Sequence, residues 1–272
     1  MIRVLYHDHC LDGFGAALAA YIKYGAKATY RACRYDEGAL PLEGCPDGDE
    51  VFVLDFSFKR EVILREQKRL NLRIIDHHKS AQEDLEGLDC CIFNMSKSGA
   101  VLAYEYFFPG MSVPWLFRVI QDRDLWQWKL PGTKEITAAL YEDDRSFELW
   151  MMSLHNTNVL EIKGATLVRK MENDVRRIVE TSGWLFIGGR KVPAANTGFY
   201  QSEVGMALCA KYPESPFSVT YTDKGVADNL WSRTYSLRSV GEFDVSAVAR
   251  QFGGGGHKTA AGFTATVTVV DL

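Results

Sequence analysis

The chain has 272 residues, of which 47% are hydrophobic and 24% charged, and its formal net charge is -4. This composition is typical of a globular protein and excludes extensive disorder, and no apolar run approaches the roughly 20 residues of a membrane span, so we expect no membrane anchor. The six cysteines lack CxxC spacing, which favours a reducing cytoplasm. The acidic balance argues against a large basic surface, so any nucleic-acid ligand should be short or bound in a local groove.

Strands and helices alternate along the first part of the chain. The predicted strands are IRVLY, EVFVLDFSF and NLRIID, and the predicted helices are GFGAALAAYIKYG and KREVILREQKRL. Alternation of this kind is typical of an α/β fold with a mostly parallel sheet and helices on both faces. Ligands of such sheets bind beyond the carboxyl ends of the strands. The residues directly after each apolar run are therefore the candidates for chemistry.

The sequence pattern of the remaining chain changes twice. Residues 98–126 are mostly helical in pattern, and a long connector helix is predicted over residues 157–182. Short strands and two helices then predict a smaller α/β domain that begins near Gly183 and closes with a strand over residues 261–270. We therefore predict a first domain over residues 1–156, the connector over 157–182 and a second domain over 183–272.

Four polar patches follow apolar elements. They are HDHCLDG at residues 7–13, Asp55 after VFVL, the tripeptide DHH at residues 76–78, and DRDLW with Asp122 and Asp124. If the three predicted strands are neighbours, the first three patches meet at one sheet edge. Imidazole and carboxylate ligands suit manganese, zinc or iron, with magnesium as a further alternative. The ligands suffice for two ions with one bridging carboxylate, an arrangement used for phosphoryl hydrolysis.

Each patch also has a structural interpretation. Asp55 would serve equally well as a helix N-cap, and Asp122 with Asp124 as a solvated helix end. Cys10 is either a ligand or a small buried thiol. Near the other end, FGGGGHKTAAGF at residues 252–263 predicts a phosphate cradle, in which the backbone amides of the glycines and His257 receive an anion together with Arg238. A mobile turn is the alternative.

These motifs together resemble the DHH phosphoesterase superfamily, which is named for the tripeptide present here as Asp76, His77 and His78. The C-terminal GGGGH resembles the glycine-rich motif of the DHH-associated domain, found in oligoribonucleases of the NrnA type and in RecJ exonucleases. The resemblance spans nearly the whole chain. It implies a catalytic first domain with a two-metal site, usually manganese, a nucleotide-binding second domain, and catalysis in the cleft between them.

The resemblance also implies a role for each motif residue. Asp12 with Gly13 matches the end of the first motif, whereas His7 lies one position from the usual histidine spacing and Cys10 stands where an aspartate is expected. The implied set has metal ligands at His7, Asp12, Asp55, His77 and Asp122, further metal candidates at Cys10 and Asp124, catalytic groups at Asp76 and His78, and substrate-binding groups at Arg238, Gly254, Gly255, Gly256 and His257.

The expected activity is that of a manganese-dependent phosphodiesterase that hydrolyses short single-stranded oligonucleotides or dinucleotides to mononucleotides. One alternative keeps the chemistry and changes the substrate to 3′-phosphoadenosine 5′-phosphate, a cyclic dinucleotide or polyphosphate. A second alternative, supported by Cys10 alone, is a nucleotide-binding sensor without turnover. The oligomeric state is open, with a homodimer among the alternatives.

Overall fold

Five parallel strands form the sheet of the first of two structural units. The computed structural model describes residues 1–142, 145–227 and 230–268, and the first unit covers Met1–Val168. Its elements, in chain order, are β1 (Ile2–His7), α1 (Leu11–Tyr24), β2 (Ala28–Cys33), α2 (Leu40–Glu43), β3 (Glu50–Leu54), α3 (Arg60–Glu66), β4 (Asn71–Asp76), α4 (Lys79–Asp84), β5 (Cys91–Phe93), α5 (Gly99–Phe107), α6 (Trp115–Asp124), α7 (Thr133–Glu142) and α8 (Phe147–Met152). Helix α9 (Asn158–Glu180) follows and contains the division between the units.

The strand order is β2-β1-β3-β4-β5, and every neighbouring pair is parallel. The three predicted strands are therefore neighbours in a parallel sheet, and the predicted α/β class is confirmed. Strands β2 and β5 lie at the two edges and were not predicted, since short edge strands carry little apolar pattern. The second predicted strand was too long. It ends at Leu54 because Asp55 has a φ of 62°, outside the range of an extended strand.

The sheet separates two apolar cores. Strand β3 shows the division most clearly, because Phe52 and Leu54 belong to one core and Val51 and Val53 to the other. The first core is covered by α1, α5 and α6, and Ala16–Ala20 of α1 are almost fully buried there. The small side chains of α1 allow α5 to approach closely. This contact fixes the position of the N-terminus of α5 next to the sheet edge.

The second unit begins at Arg169 and contains a mixed six-stranded sheet. Its elements after α9 are β6 (Gly183–Ile187), β7 (Arg190–Asn196), α10 (Gln201–Lys211), β8 (Ser218–Ala227), β9 (Leu230–Arg238), α11 (Val245–Arg250), β10 (Gly255–Gly256) and β11 (Ala260–Thr268). The order is β10-β11-β9-β8-β7-β6, and of these pairs β7 with β8 is parallel. Residues 269 and 270 of the last predicted strand lie outside the described residues. Among the helices in the described ranges, none combines the length and apolar character that crossing a bilayer requires.

Candidate metal centre

The carboxyl ends of β1, β3 and β4 place three of the predicted patches at one edge of the sheet. His7 is the last residue of β1, Asp55 follows β3, and Asp76 is the last residue of β4. His77 and His78 come next in the chain. Because the strands are parallel and adjacent, their ends converge, and the ligand atoms of Asp12, Asp55 and His77 lie within 4.8 Å of one another. A second set with the same spacing is His7, Cys10 and Asp55.

Asp55 belongs to both sets and lies between two imidazoles. Its Oδ1 is 3.2 Å from His77 Nε2, and its Oδ2 is 3.5 Å from His7 Nδ1. The carboxylate is 1% exposed, and neither oxygen accepts a hydrogen bond of acceptable geometry from the described residues. Buried carboxylate oxygens are normally satisfied by donors or by cations. The two oxygens therefore face two different sets of ligand atoms, as a bridging carboxylate would.

Asp12 is held in place by the N-terminus of α5. Its Oδ2 accepts a hydrogen bond from Gly99 N at 2.5 Å, and its Oδ1 accepts one from Ala100 N at 3.0 Å. A Cβ at residue 99 would lie 2.6 Å from Asp55 Oδ1, so the close approach of α5 to both aspartates requires a glycine. Sequence analysis missed Gly99. The signal was a serine followed by a glycine at a predicted helix start, where Ser98 is the N-cap.

A further close approach involves the residue after Asp12. A Cβ at Gly13 would lie 2.3 Å from the backbone oxygen of His7 and 2.8 Å from its Cβ. The glycine therefore lets the first turn of α1 lie directly against the end of β1. This contact brings Asp12 and His7 to the same point.

Asp76 orients His78 and the backbone around it. Asp76 Oδ1 lies 2.6 Å from His78 Nδ1 and also accepts hydrogen bonds from the backbone N of His77 and of His78. Burial by itself would raise the pKa of Asp76, but His78 outweighs this and lowers it. The sequence resemblance implied a catalytic role for Asp76, and in the structure its closest side-chain partner is His78.

Asp122 and Asp124 have different surroundings although they are only two positions apart in the chain. Both oxygens of Asp122 accept hydrogen bonds, Oδ1 from Lys129 N at 2.9 Å and Oδ2 from Leu130 N at 3.1 Å and Thr133 Oγ1 at 2.7 Å. Asp124 Oδ2, in contrast, lies 3.5 Å from His77 Nε2. Residues i and i+2 of a helix point in different directions, which explains the divergence. The geometry therefore favours Asp124 over Asp122 as a member of the cluster.

The buried carboxylates strongly favour a positive charge beside them. Burial, followed by the charges of Asp55 and Asp124, raises the pKa of Asp12 well above its ordinary value. Burial alone would lower the pKa of His77, but the carboxylates of Asp55, Asp124 and Asp12 raise it to about 10. For Asp55, burial opposes ionisation, yet the two imidazoles hold its pKa well below the ordinary value. A divalent cation would supply the positive charge that this cluster otherwise takes from a proton on His77.

The remaining members of the first patch differ in burial and contacts. Burial first, and then the charges of Asp55, Asp124 and Asp12, raise the pKa of Cys10 well above its ordinary value, so the neutral thiol is favoured beside these carboxylates. His9 does not join the cluster. Its side chain is 79% exposed, and its Nε2 lies 3.1 Å from Asp8 Oδ2.

This set of residues fits divalent metal ions. It combines carboxylate oxygens with imidazole nitrogens, the ligand types that manganese, zinc and iron accept. The two buried oxygens of Asp55 without hydrogen-bond donors are the local evidence for the fit. His7, Asp12, Asp55, His77 and Asp124 are the residues that would hold the ions, with Cys10 as a further neighbour.

The predicted phosphate cradle is part of the second unit. Gly255 and Gly256 form β10 and pair with Gly262 and Ala261 of β11, so the second half of the glycine run is a short strand. A Cβ at Gly254 would lie 2.0 Å from Gly262 O, so the close packing of this residue against β11 requires a glycine. The His257 backbone N donates to Ala260 O at 2.7 Å in the turn that joins the two strands.

Two basic side chains of the same unit have defined partners. Arg238 is the last residue of β9, and its Nη2 donates to Ser202 Oγ at 2.7 Å. Its Nη1 donates to Leu237 O at 2.8 Å, so the guanidinium is held in one orientation. Lys258 Nζ lies 2.5 Å from Glu242 Oε2, and this ion pair offsets the charge that the lysine would bring to a phosphate.

The chain has the fold of RecJ. It aligns with the RecJ structure from Thermus thermophilus in complex with Mn2+ at a TM-score of 0.52 and 14% identity, over 98% of this chain and 49% of RecJ. It aligns with the pGpG-specific phosphodiesterase PggH from Vibrio cholerae at a TM-score of 0.53 and 13% identity, over 99% of this chain and 94% of that protein. No protein-family model matches the chain.

Two curated proteins are similar in sequence. An uncharacterized protein of Acanthamoeba polyphaga mimivirus is 31% identical over 281 residues, which cover 95% of this chain and 66% of the viral protein. The oligoribonuclease NrnB of Bacillus subtilis is 22% identical over 310 residues, which cover 98% of this chain and 74% of NrnB. The chain thus spans about two thirds of the length of the mimivirus relative.

Proposed function

We propose that this protein is a DHH-superfamily phosphoesterase that uses divalent metal ions, best supplied as manganese, to hydrolyse phosphodiester bonds in short linear oligonucleotides or dinucleotides. The observation that carries the proposal is Asp55, a buried carboxylate whose two oxygens face two separate sets of ligand atoms. The similarity to proteins described as an oligoribonuclease and a pGpG phosphodiesterase supports the choice of substrate class.

Each group of the cluster has a distinct part in this proposal. His7, Asp12, Asp55, His77 and Asp124 hold the ions, and Asp122 is assigned to the structure of the following loop. Divalent ions held there would supply Lewis acidity and lower the pKa of water at neutral pH. With Nδ1 engaged by Asp76, His78 presents Nε2 to the substrate, where it steadies a phosphate oxygen or protonates the leaving oxygen.

In the second unit, Arg238 and His257 receive the phosphate of the substrate beside the Gly254–Gly256 run. The amide of Gly254 is already engaged, because it donates to Ala249 O at 3.0 Å. Arg238 suits this role because its guanidinium presents several donors in a fixed fork. The net charge of -4 limits binding of long polyanions, since affinity for an extended strand grows with the number of phosphates that Lys and Arg neutralise. We therefore expect the highest catalytic efficiency on strands of about two to five nucleotides.

The experiment is a substrate panel assayed with manganese. Linear di-, tri-, penta- and longer ribo- and deoxyribo-oligonucleotides are compared with cyclic dinucleotides, polyphosphate and 3′-phosphoadenosine 5′-phosphate. Exclusive cleavage of the monoester, or a preference for long strands, would contradict the substrate assignment. Binding of the same nucleotides without turnover of any of them would favour the sensor.

Two variants separate metal binding from chemistry. Asp55→Ala should lose both ions together, because its two oxygens face both sets of ligand atoms. His78→Ala should retain the ions and lose rate. Metal analysis of both purified variants, beside kcat, tests the two roles independently of the substrate. Full activity of the metal-stripped wild-type protein would contradict the metal-dependent mechanism.

A further inference from the structure

The segment after α6 contains two tryptophans in an unusual backbone conformation. This tryptophan loop, residues 125–130, holds Trp126 at a φ of 56° and Trp128 at a φ of 54°. Left-handed backbone is unfavourable for bulky aromatic residues, and it persists only where the surrounding structure imposes it. Strained residues of this kind concentrate at functional sites. Two such residues within three positions indicate that the loop has a function of its own, separate from that of the metal cluster.

Asp122 imposes the conformation of the loop. Its side chain accepts hydrogen bonds from Lys129 N and Leu130 N, and its backbone oxygen accepts one from Gln127 N at 2.8 Å. The carboxylate is 4% exposed, so these bonds are shielded from water. A buried charged acceptor of several backbone donors forms strong hydrogen bonds. Asp122 is therefore a positioning residue, and the conformation of both tryptophans depends on it.

The tryptophans do not serve the apolar core of the first unit. Trp115 and Trp150 belong to or pack against that core, whereas Trp126 and Trp128 are not among the core side chains of the described residues. Both are half-buried. Their ring centroids are 4.9 Å apart, and the ring planes form an angle of 79°. The Arg123 guanidinium lies 6.0 Å from the Trp126 ring. The result is a pair of perpendicular indole rings fixed to the scaffold by a buried carboxylate.

The loop leaves directly from the metal centre. Trp126 comes two residues after Asp124, whose Oδ2 is 3.5 Å from His77 Nε2, and two residues span at most about 7 Å of chain. A nucleotide whose phosphate lies at the cluster must extend its base away from the carboxylates. Tyr35 is also near the cluster, since its ring centroid lies 5.3 Å from that of His7 and the residue is 58% exposed. The indole pair is the aromatic group that follows Asp124 directly in the chain.

We propose that Trp126 and Trp128 form a stacking platform for a nucleobase next to the bond that is cleaved. This inference rests on the proposed phosphodiesterase function and assigns the side chains that would contact a base of its nucleotide substrate. Stacking on an aromatic ring tolerates every base, because each base has a π-face. The platform therefore selects for the presence of a base without reading the sequence.

The test compares dinucleotides that differ in their bases alone. Four substrates are used, with both bases present, with the base removed from either nucleoside, and with both removed. We expect wild-type protein to prefer the complete dinucleotide over the form that lacks the base at the stacking position by about 5- to 150-fold in kcat/KM, the range of one base–aromatic stack. Trp126→Leu and Trp128→Leu should bring this ratio toward one, while Trp126→Phe retains most of it.

Trp184→Leu is the matched control, since this half-exposed tryptophan belongs to the second unit and contacts Tyr212. It should keep the wild-type ratio. Asp122→Asn should lower the ratio in the same direction as the leucine variants, a response that a purely structural aspartate would not give. Equal turnover of all four substrates by the wild-type protein, or an unchanged ratio in both leucine variants, would overturn the platform.

A binding measurement keeps this inference separate from the proposed function. Adenosine 5′-monophosphate should quench the tryptophan fluorescence of wild-type protein, whereas ribose 5-phosphate should not. The quenching should disappear in a Trp126→Leu, Trp128→Leu double variant. Absence of hydrolysis with normal quenching would contradict the proposed function alone. Absence of quenching, or quenching that survives in the double variant, would contradict the platform alone.

Discussion

Gly99→Ala is the substitution that tests the architecture of the metal centre most directly. The added Cβ would lie 2.6 Å from Asp55 Oδ1 and 2.7 Å from Asp55 Cβ, whereas ordinary van der Waals contact begins at 3.4 Å. Either Asp55 or the first turn of α5 must therefore move by about 0.8 Å. Movement of α5 would also disturb the hydrogen bond from Gly99 N to Asp12. Misplacement of reacting groups by about 1 Å can cost about 10²-fold in rate.

We therefore expect Gly99→Ala to lower kcat by about 100-fold and to reduce manganese affinity. The thermal midpoint of the variant separates this effect from general destabilisation. Gly44→Ala is the control in the same unit, because the nearest atom to its added Cβ is Leu40 O at 3.6 Å. Metal content after dialysis and steady-state kinetics measure both effects. Wild-type metal content and kcat in Gly99→Ala would refute the argument that α5 positions the two aspartates.

The remaining predictions concern ligands and substrate. Asp124→Asn should weaken manganese binding. Asp122→Asn should keep the metal content and lower the thermal midpoint of unfolding, because it weakens a buried hydrogen-bond acceptor worth about 1–3 kcal/mol. Metal analysis and calorimetry measure the two effects, and the reverse pattern would identify Asp122 as the ligand. Cys10→Asp should retain or raise manganese activity, and a Cys10→Ser protein with unaltered metal content and activity would exclude ligation by the thiol. Chelation should abolish activity and lower the thermal midpoint of unfolding. Manganese at about 100 times its Kd should restore about 2.7 kcal/mol of the free energy of unfolding. An unchanged midpoint would mean that no ion binds the folded state. Arg238→Ala should raise KM and leave metal content unchanged, and loss of metal instead would contradict its role at the substrate.

The parallel sheet and the convergence at its edge could be predicted from the sequence. Buried parallel strands appear as apolar runs, and the rule that ligands lie beyond their carboxyl ends singles out His7, Asp55 and the residues after Asp76. The rule works because it depends on strand order and direction alone. It needs no knowledge of side-chain conformation.

Finer features of the site depend on tertiary contacts that no local pattern encodes. Asp122 and Asp124 are equally acidic in sequence, and the loop that follows α6 decides which of them has both oxygens occupied. Gly99 was missed for a similar reason. Its importance comes from Asp12 and Asp55, which are distant in the chain, whereas a glycine near a helix start commonly serves the local backbone alone.

The hydrogen bond between Gly99 N and Asp12 Oδ2 joins residues that are 87 positions apart, with Asp55 and His77 between them in the chain. Contacts across such long separations are entropically costly and form slowly. An ion therefore has no assembled site before the chain is almost native, so binding should slow unfolding and leave the folding rate nearly unchanged. The lifetime of the folded protein would then depend on the supply of metal, even at a constant rate of synthesis.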